Sequence, residues 1–296
     1  MECKELMKSD MPTVLPISKA IREGKDQITI FLKHKDTRKS VRGDERSEFV
    51  RNSRIFGATF GGNIKPGQFY MLWIPRIDSK PYAVAYHNNN ELGFTSIVIG
   101  KFSNAFDKLK VGDKIGLFGP YGNSFSIKDN ACVVAGGIGI SSVSTLIDKL
   151  KNPTIIYGVR KKEYLIYLKR YKKKNMMITT DDGSYGRKAF TTNILKELLK
   201  NNKKIKIVYT CGPEIMMKKV LDLCNKYKVE CEASVERYMS CGFGICGKCM
   251  INDKIICIDG PVFNSKHLNK MTEFGKFARI KSCKKVTIEE YHSTHL

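Results

Sequence analysis

Four cysteines carry the most specific chemistry in the sequence: Cys241, Cys246, Cys249 and Cys257 stand at the spacing C-x4-C-x2-C-x7-C. Thiolates are soft metal ligands, and a C-x4-C-x2-C run with a distant fourth cysteine is the plant-type [2Fe–2S] pattern, whereas zinc ribbons usually pair two C-x2-C knuckles. Gly242, Gly244 and Gly247 are interleaved with them, which lets backbone N–H groups turn toward a buried anion. A zinc knuckle and unrelated thiols are the alternatives.

A second chemistry lies upstream. The apolar run Ala131-Cys132-Val133-Val134-Ala135 leads directly into Gly136-Gly137-Ile138-Gly139-Ile140-Ser141-Ser142, and a helical stretch follows over Val143 to Leu150. Strand, glycine turn and helix present a helix N-terminus with free N–H groups to a pyrophosphate. The plainer alternative is a turn that only joins strand to helix. Cys211-Gly212-Pro213 follows a strand that ends at Thr210. In a doubly wound sheet this turn faces the same crevice as Gly137 and Gly139, because ligands sit beyond the carboxyl ends of the strands. A small buried residue at a tight turn is the competing reading of Cys211.

The elements that must hold these residues form three blocks. Short β-branched and aromatic runs fill the first: 12–17, 27–32, 66–75, 80–85, 94–103 and 111–123. They predict a small antiparallel barrel over 1–125, interrupted by a charged, glycine-punctuated insertion at 34–63. Apolar strands at 131–135, 154–159, 176–180 and 205–210 alternate with helices at about 191–201 and 213–227, which predicts a parallel α/β nucleotide-binding domain over 126–230. The cysteine module and a tail occupy 231–296, with Phe274 to Ile280 and Lys285 to Ile288 as a closing strand or hairpin. The expected fold is a β barrel plus α/β with a small C-terminal [2Fe–2S] module.

Composition narrows the setting. The chain has 296 residues, 42% of them hydrophobic, and a formal net charge of +23. Its lysines are dispersed, and only Lys169-Arg170-Tyr171-Lys172-Lys173-Lys174 is dense. A solvated surface, or steering of anionic cofactors and an acidic partner, explains this better than a nucleic-acid site. Of the 10 cysteines, Cys3, Cys132, Cys211, Cys224, Cys231 and Cys283 are scattered, with no disulfide framework. No leader and no apolar run near the roughly 18–20 residues that cross a bilayer are present, so a soluble cytoplasmic protein is expected, with neither membrane nor nucleic acid as partner.

Taken together, the barrel, the nucleotide-binding strands and Cys211-Gly212-Pro213 resemble the ferredoxin–NADP reductase superfamily. Thr179 to Gly186 (TTDDGSYG), Glu236 to Gly242 (ERYMSCG) and Cys257 to Phe263 (CIDGPVF) are similar, more narrowly, to the electron-transfer subunits of dihydroorotate dehydrogenase B. The resemblance implies NAD at Gly136, Gly137, Gly139, Cys211, Gly212 and Pro213, and a [2Fe–2S] cluster on the four cysteines. It also implies FAD in the barrel at Lys80, Pro81, Tyr82 and Ala83, where the family carries Arg-Pro-x-Ser, and at Gly100 and Ser103, where it carries a Gly-Thr turn. Lys80 keeps a cation for the diphosphate without the arginine fork, and Ala83 lacks the hydroxyl. The implied partner is an FMN-containing catalytic subunit that oxidises dihydroorotate, in a heterotetramer of two subunits of each kind. Related reductase subunits of cytoplasmic hydrogenases, sulfide dehydrogenases and ferredoxin:NADP transhydrogenases can share the 181–186 motif. The transhydrogenase type commonly has an acidic first cluster ligand, where this chain has Cys241. A reading of another class is a basic zinc-knuckle nucleic-acid-binding protein.

Overall fold

β-branched and aromatic residues in alternation build the first sheet. The structure, a computed structural model, describes residues 12–33, 64–88 and 90–294. The insertion expected at 34–63 and Cys3 lie outside them. β1 (Thr13–Arg22), β2 (Gln27–Lys33), β3 (Phe69–Ile74), β4 (Asp78–Ala83), β5 (Tyr86–His87), β6 (Glu91–Ile97) and β7 (Lys114–Tyr121) pair antiparallel in the order β4-β3-β7-β1-β2-β6-β5. Ile17, Ile30, Leu32, Tyr70, Leu72, Phe94 and Leu117 fill the interior. The Tyr82 hydroxyl of β4 lies 2.8 Å from the Ser96 hydroxyl of β6, which draws the two ends of the curved sheet together.

One expectation is corrected within this sheet. The run 94–103 is not a continuous strand: β6 stops at Ile97 and a helix, α1 (Lys101–Asp107), begins. The Ser103 hydroxyl accepts the Ile99 and Gly100 N–H groups at 2.9 Å each, satisfying donors that open a helix. Phe102 and Phe106, one helical turn apart, pack on Tyr82, whose ring lies stacked 5.3 Å from that of Phe106.

The second sheet has the order β11-β10-β9-β8-β12-β13-β16. It is built from β8 (Ala131–Gly136), β9 (Thr154–Val159), β10 (Asn175–Thr180), β11 (Arg187–Lys188), β12 (Ile207–Cys211) and β13 (Glu230–Ser234), all parallel. Every residue of β8 and β12 is buried, as a strand covered on both faces requires. α2 (Gly139–Lys149) covers one face, and α3 (Thr191–Asn201) and α4 (Glu214–Tyr227) cover the other. The helix after the glycine turn starts at Gly139, earlier than the periodicity indicates, so the turn is itself the helix N-terminus.

The boundary expected at 230 also moves. β13 is a strand of the parallel sheet, and β16 (Val262–Asn264) returns to pair with it antiparallel, Ala233 opposite Phe263. The cysteine segment is therefore an excursion between two strands of the nucleotide-binding sheet, carrying β14 (Met250–Ile251), β15 (Lys254–Ile255) and α5 (Ile256–Asp259). After α6 (Ser265–Leu268), the tail forms the expected hairpin, β17 (Phe277–Arg279) with β18 (Lys285–Thr287), and ends in α7 (Ile288–Thr294).

Two sets of contacts fix these parts to one another. Asn123, just past β7, donates from Nδ2 to the carbonyls of Asp259 (3.0 Å) and Val262 (2.8 Å) and accepts the Val262 N–H at 2.9 Å. Arg170 lies with its guanidinium carbon 3.8 Å from the Tyr86 ring centre and 5.2 Å from those of Tyr167 and Tyr171, and donates to the Ala85 carbonyl at 3.0 Å. Arg170 and buried Tyr171 thus face inward from the lysine-dense patch at 169–174. The patch is not a row of free cations, and its centre pins the barrel to the α/β sheet.

Candidate cofactor sites

The cysteine segment is built from residues that cannot hold a regular element. Gly242, Gly244 and Gly247 take φ of 84°, 89° and 65°, the left-handed region that only glycine enters at low cost. Gly242 also lies against the barrel: a Cβ there would sit 2.6 Å from Met71 Cγ. Met250, Ile251, Ile256 and Cys257 fix the other end, and buried Cys249, Ile251, Ile256 and Cys257 join the core under α4.

The thiols are presented as two pairs. Cys249 and Cys257, both buried, have their sulfurs 3.6 Å apart. The Cys257 thiol pulls Cys249 down to about 6 against the effect of burial, helped by the N–H groups of Cys257 and Ile256. Cys257 is correspondingly pushed up by Cys249 and by burial, with the Gly244 N–H opposing. Cys241 is less buried. Burial raises it, but the N–H groups of Cys246, Phe243 and Ile245 and the Cys246 thiol outweigh this and bring it to about 7. Among the described residues no three such side chains are closed into a metal cage. Two thiol pairs, with N–H groups aimed at the sulfurs of at least three of them, are nonetheless the donor set a [2Fe–2S] group takes, two cysteines to each iron and amide donors to sulfur.

The nucleotide crevice is defined by glycines in contact. A Cβ on Gly139 would lie 2.4 Å from the Cys211 carbonyl oxygen, one on Gly212 2.9 Å from Gly136 Cα, and one on Gly136 2.8 Å from Pro213 Cδ. The two turns picked out in the sequence therefore touch backbone to backbone. Gly137, with φ of 55°, has nothing within 4 Å of where its Cβ would stand and opens the crevice at the N-terminus of α2. That arrangement fits a pyrophosphate. Cys211 itself is fully buried and its thiol is pushed up by burial, so the turn offers backbone rather than sulfur to a ligand. Gly139→Ala should force the Cys211 turn away, an overpacking effect of about 1–3 kcal/mol. Titration of NADH fluorescence is expected to show the affinity falling accordingly.

The barrel residues are more mixed. Lys80 pairs with Asp78 at 2.8 Å and stands 4.8 Å from the ring of Tyr238, which belongs to the cysteine segment. Among the described residues nothing lies within 4 Å of where a Cβ on Gly100 would stand. Pro81 and Ala83 lie on β4 opposite Met71 and Phe69. Tyr82 is engaged by Ser96 and Phe106, and burial raises its hydroxyl to about 12. The Ser103 hydroxyl is taken up by the α1 cap, so it is not free for a phosphate. Lys80 and the opening at Gly100 are what fit a flavin diphosphate here.

With this geometry in hand, the comparisons are specific. A curated relative from Methanocaldococcus jannaschii, named as a probable dihydroorotate dehydrogenase B (NAD(+)) electron transfer subunit, is 44% identical over 76% of this chain and 88% of its own length. The chain belongs to that family. A Pyrococcus furiosus relative of the same name is 40% identical over 80% of the chain and 94% of its own length. The sequence model for the iron–sulfur cluster binding domain of dihydroorotate dehydrogenase B matches residues 236–269, which span all four cysteines. Among solved structures, that of an NADH-dependent reduced ferredoxin-NADP oxidoreductase superposes with a TM-score of 0.70 at 26% identity, over 88% of this chain and 93% of that one. Phthalate dioxygenase reductase shares the fold at a TM-score of 0.57 and 19% identity, over 78% of this chain and 71% of that one. As a family member, the chain is an oxidoreductase subunit of the flavin, iron–sulfur and NAD-linked class, on a ferredoxin reductase-like fold. No helix among the described residues is long and apolar enough to cross a membrane.

One pair of residues, joining the family's iron–sulfur domain to the helix after the nucleotide turn, escaped sequence reasoning. Arg237, inside ERYMSCG, is 4% exposed and forms a bidentate pair with Glu214, 5% exposed, with the Nη2 to Oε1 bond at 2.8 Å. The signal was limited: an acidic residue directly after Cys-Gly-Pro, and an arginine set among Val235, Tyr238 and Met239 just before the cysteine run.

Proposed function

We propose that the chain is the NAD-reducing half of a two-component dihydroorotate dehydrogenase in pyrimidine synthesis, working in the cytoplasm with an FMN-containing catalytic subunit, two copies of each. One observation carries the reading: the cysteine segment is an excursion of the nucleotide-binding sheet that lies against the barrel through Gly242, Met71 and Tyr121. One fold thereby supports three cofactor sites on adjoining surfaces.

Bound at these sites, the iron–sulfur group supplies one-electron transfer and FAD the exchange of single electrons for a hydride to NAD+. The residues of this chain do the rest. Cys241, Cys246, Cys249 and Cys257 hold the irons, while nearby amide N–H groups stabilise negative charge on sulfur. Gly136, Gly137 and Gly139, with Cys211, Gly212 and Pro213, seat the dinucleotide through backbone N–H groups and the α2 N-terminus. Lys80, beside Pro81, Tyr82 and Ala83, offers a cation to the flavin diphosphate near Gly100. Acid–base chemistry on dihydroorotate falls to the partner.

The surface around the cysteines supports a partner there. Phe243, Ile245 and Ile258 stand 40%, 79% and 56% exposed within the segment, with Lys248 and Lys254 beside them. Ile245→Asp is expected to leave NADH oxidation by ferricyanide unchanged. Dihydroorotate-dependent NAD+ reduction in the reconstituted pair should fall by about 2 kcal/mol or more, some 30-fold, as for a central interface residue. Equal loss of both activities, or no dihydroorotate-dependent activity in the wild-type pair, would count against the reading.

A further inference from the structure

Arg237 and Glu214 occupy a junction that the functional reading leaves unexplained. Glu214 opens α4 directly after the Cys211-Gly212-Pro213 turn, and Arg237 lies four residues before Cys241. Beyond the bidentate pair, the Arg237 guanidinium donates to the Glu236 carbonyl at 2.7 Å and to the Phe277 carbonyl at 3.3 Å. Glu214 Oε1 also accepts the Gly275 N–H at 2.7 Å. Three segments therefore converge on one buried ion pair: the nucleotide turn, the strand leading into the cysteine segment, and the tail hairpin. Among the described residues, the buried Arg237 Nε has no hydrogen-bond partner.

Energetics argue the same way. Taking both charges out of water costs about what their attraction returns, and a well-packed apolar pair is often as stable or more so. What an apolar pair cannot supply is direction: the planar fork of arginine on a carboxylate fixes orientation as well as distance. We propose that the Arg237–Glu214 pair is a strut that sets the position of the cluster-bearing segment relative to the nucleotide turn, with Arg237 as a positioning residue for Cys241. This rests on the four cysteines holding the cluster.

The test uses the full chain with its cofactors and compares wild type, Arg237→Lys, and the double variant Arg237→Met with Glu214→Met, which removes both charges and so avoids stranding one. The double variant is expected to melt close to wild type. Its dithionite-reduced cluster should give a broadened, heterogeneous paramagnetic spectrum. Bleaching of the cluster band by NADH, which supplies two electrons, one passing to the cluster and the other staying on the FAD, should slow on the order of 10–100-fold, as for an ångström-scale misplacement. Arg237→Lys, which keeps the charge without the fork, should fall between. A wild-type spectrum and rate in the double variant would overturn the strut. So would uniform loss of melting temperature, NADH–ferricyanide activity and cluster reduction together, since that marks a stability role only. A wild-type protein with no iron–sulfur signal would instead overturn the functional reading beneath it.

Discussion

Cys257→Ser is expected to abolish the paramagnetic signal of the reduced protein while leaving flavin absorbance at its wild-type level. The sulfur of Cys257 is buried 3.6 Å from that of Cys249, in the core beneath α4, and the residues proposed for the flavin lie apart from it, on β4 and at the start of α1. Serine preserves the shape of the side chain, so the fold loses little. It replaces a soft thiolate by a hard hydroxyl that stays protonated and binds iron poorly. The result is read as iron per chain and as the low-temperature spectrum. Full iron content with an unchanged spectrum would remove Cys257 from the ligand set.

Arg237→Ala should be strongly destabilising. It leaves the Glu214 carboxylate 5% exposed beside an empty space, facing only the Gly275 N–H. Breaking a buried pair by deleting one partner costs about 3–5 kcal/mol. That is a large share of the roughly 5–15 kcal/mol that holds a domain folded. A fall in thermal midpoint on the order of 10 °C follows. Restoring the midpoint by adding Glu214→Met to an Arg237→Met background would show that the stranded charge, rather than lost packing, is the cause. A midpoint within a degree or so of wild type in Arg237→Ala would contradict the buried-pair geometry.

What could be read from the sequence, and what could not, divides along a physical line. The cysteine spacing, the alternation of apolar strands with helices at 191–201 and 213–227, and the tail hairpin are local patterns, and the structure contains the elements they indicate. Features that depend on distant pairing were illegible. The antiparallel return of β16 onto β13 joins segments some thirty residues apart, and nothing in Val262-Phe263-Asn264 names its neighbour. The cation Arg170 looked like part of a surface patch because Tyr86, from the barrel, joins its neighbours Tyr167 and Tyr171 around it only in the fold. Ser103 was a candidate for phosphate through its resemblance to the family's Gly-Thr turn, and its role in opening α1 depends on the strand ending at Ile97. In that last case a signal existed: Phe102 and Phe106 have helical spacing, which an extended reading of the run overlooked.

The same line separates the sites. The candidate iron–sulfur residues and both glycine turns stood out in the sequence because each chemistry demands a residue type at a fixed spacing. The barrel site rests on a segment in which lysine and alanine stand where arginine and serine are usual in the family. Tyr82 and Ser103, named with them, are engaged in the barrel and the helix cap.

The central claim is that these four cysteines hold a two-iron cluster beside a flavin and a nicotinamide site. Its most direct test is the combined absorbance and low-temperature paramagnetic spectrum of the anaerobically purified chain, before and after NADH. Expected is a yellow-brown protein containing two irons and one FAD per chain, with flavin bleaching and a rhombic S = 1/2 signal on reduction, as for a [2Fe–2S] group on four thiolates. A colourless protein carrying zinc, silent on reduction and binding RNA or DNA in a salt-sensitive way, would contradict it.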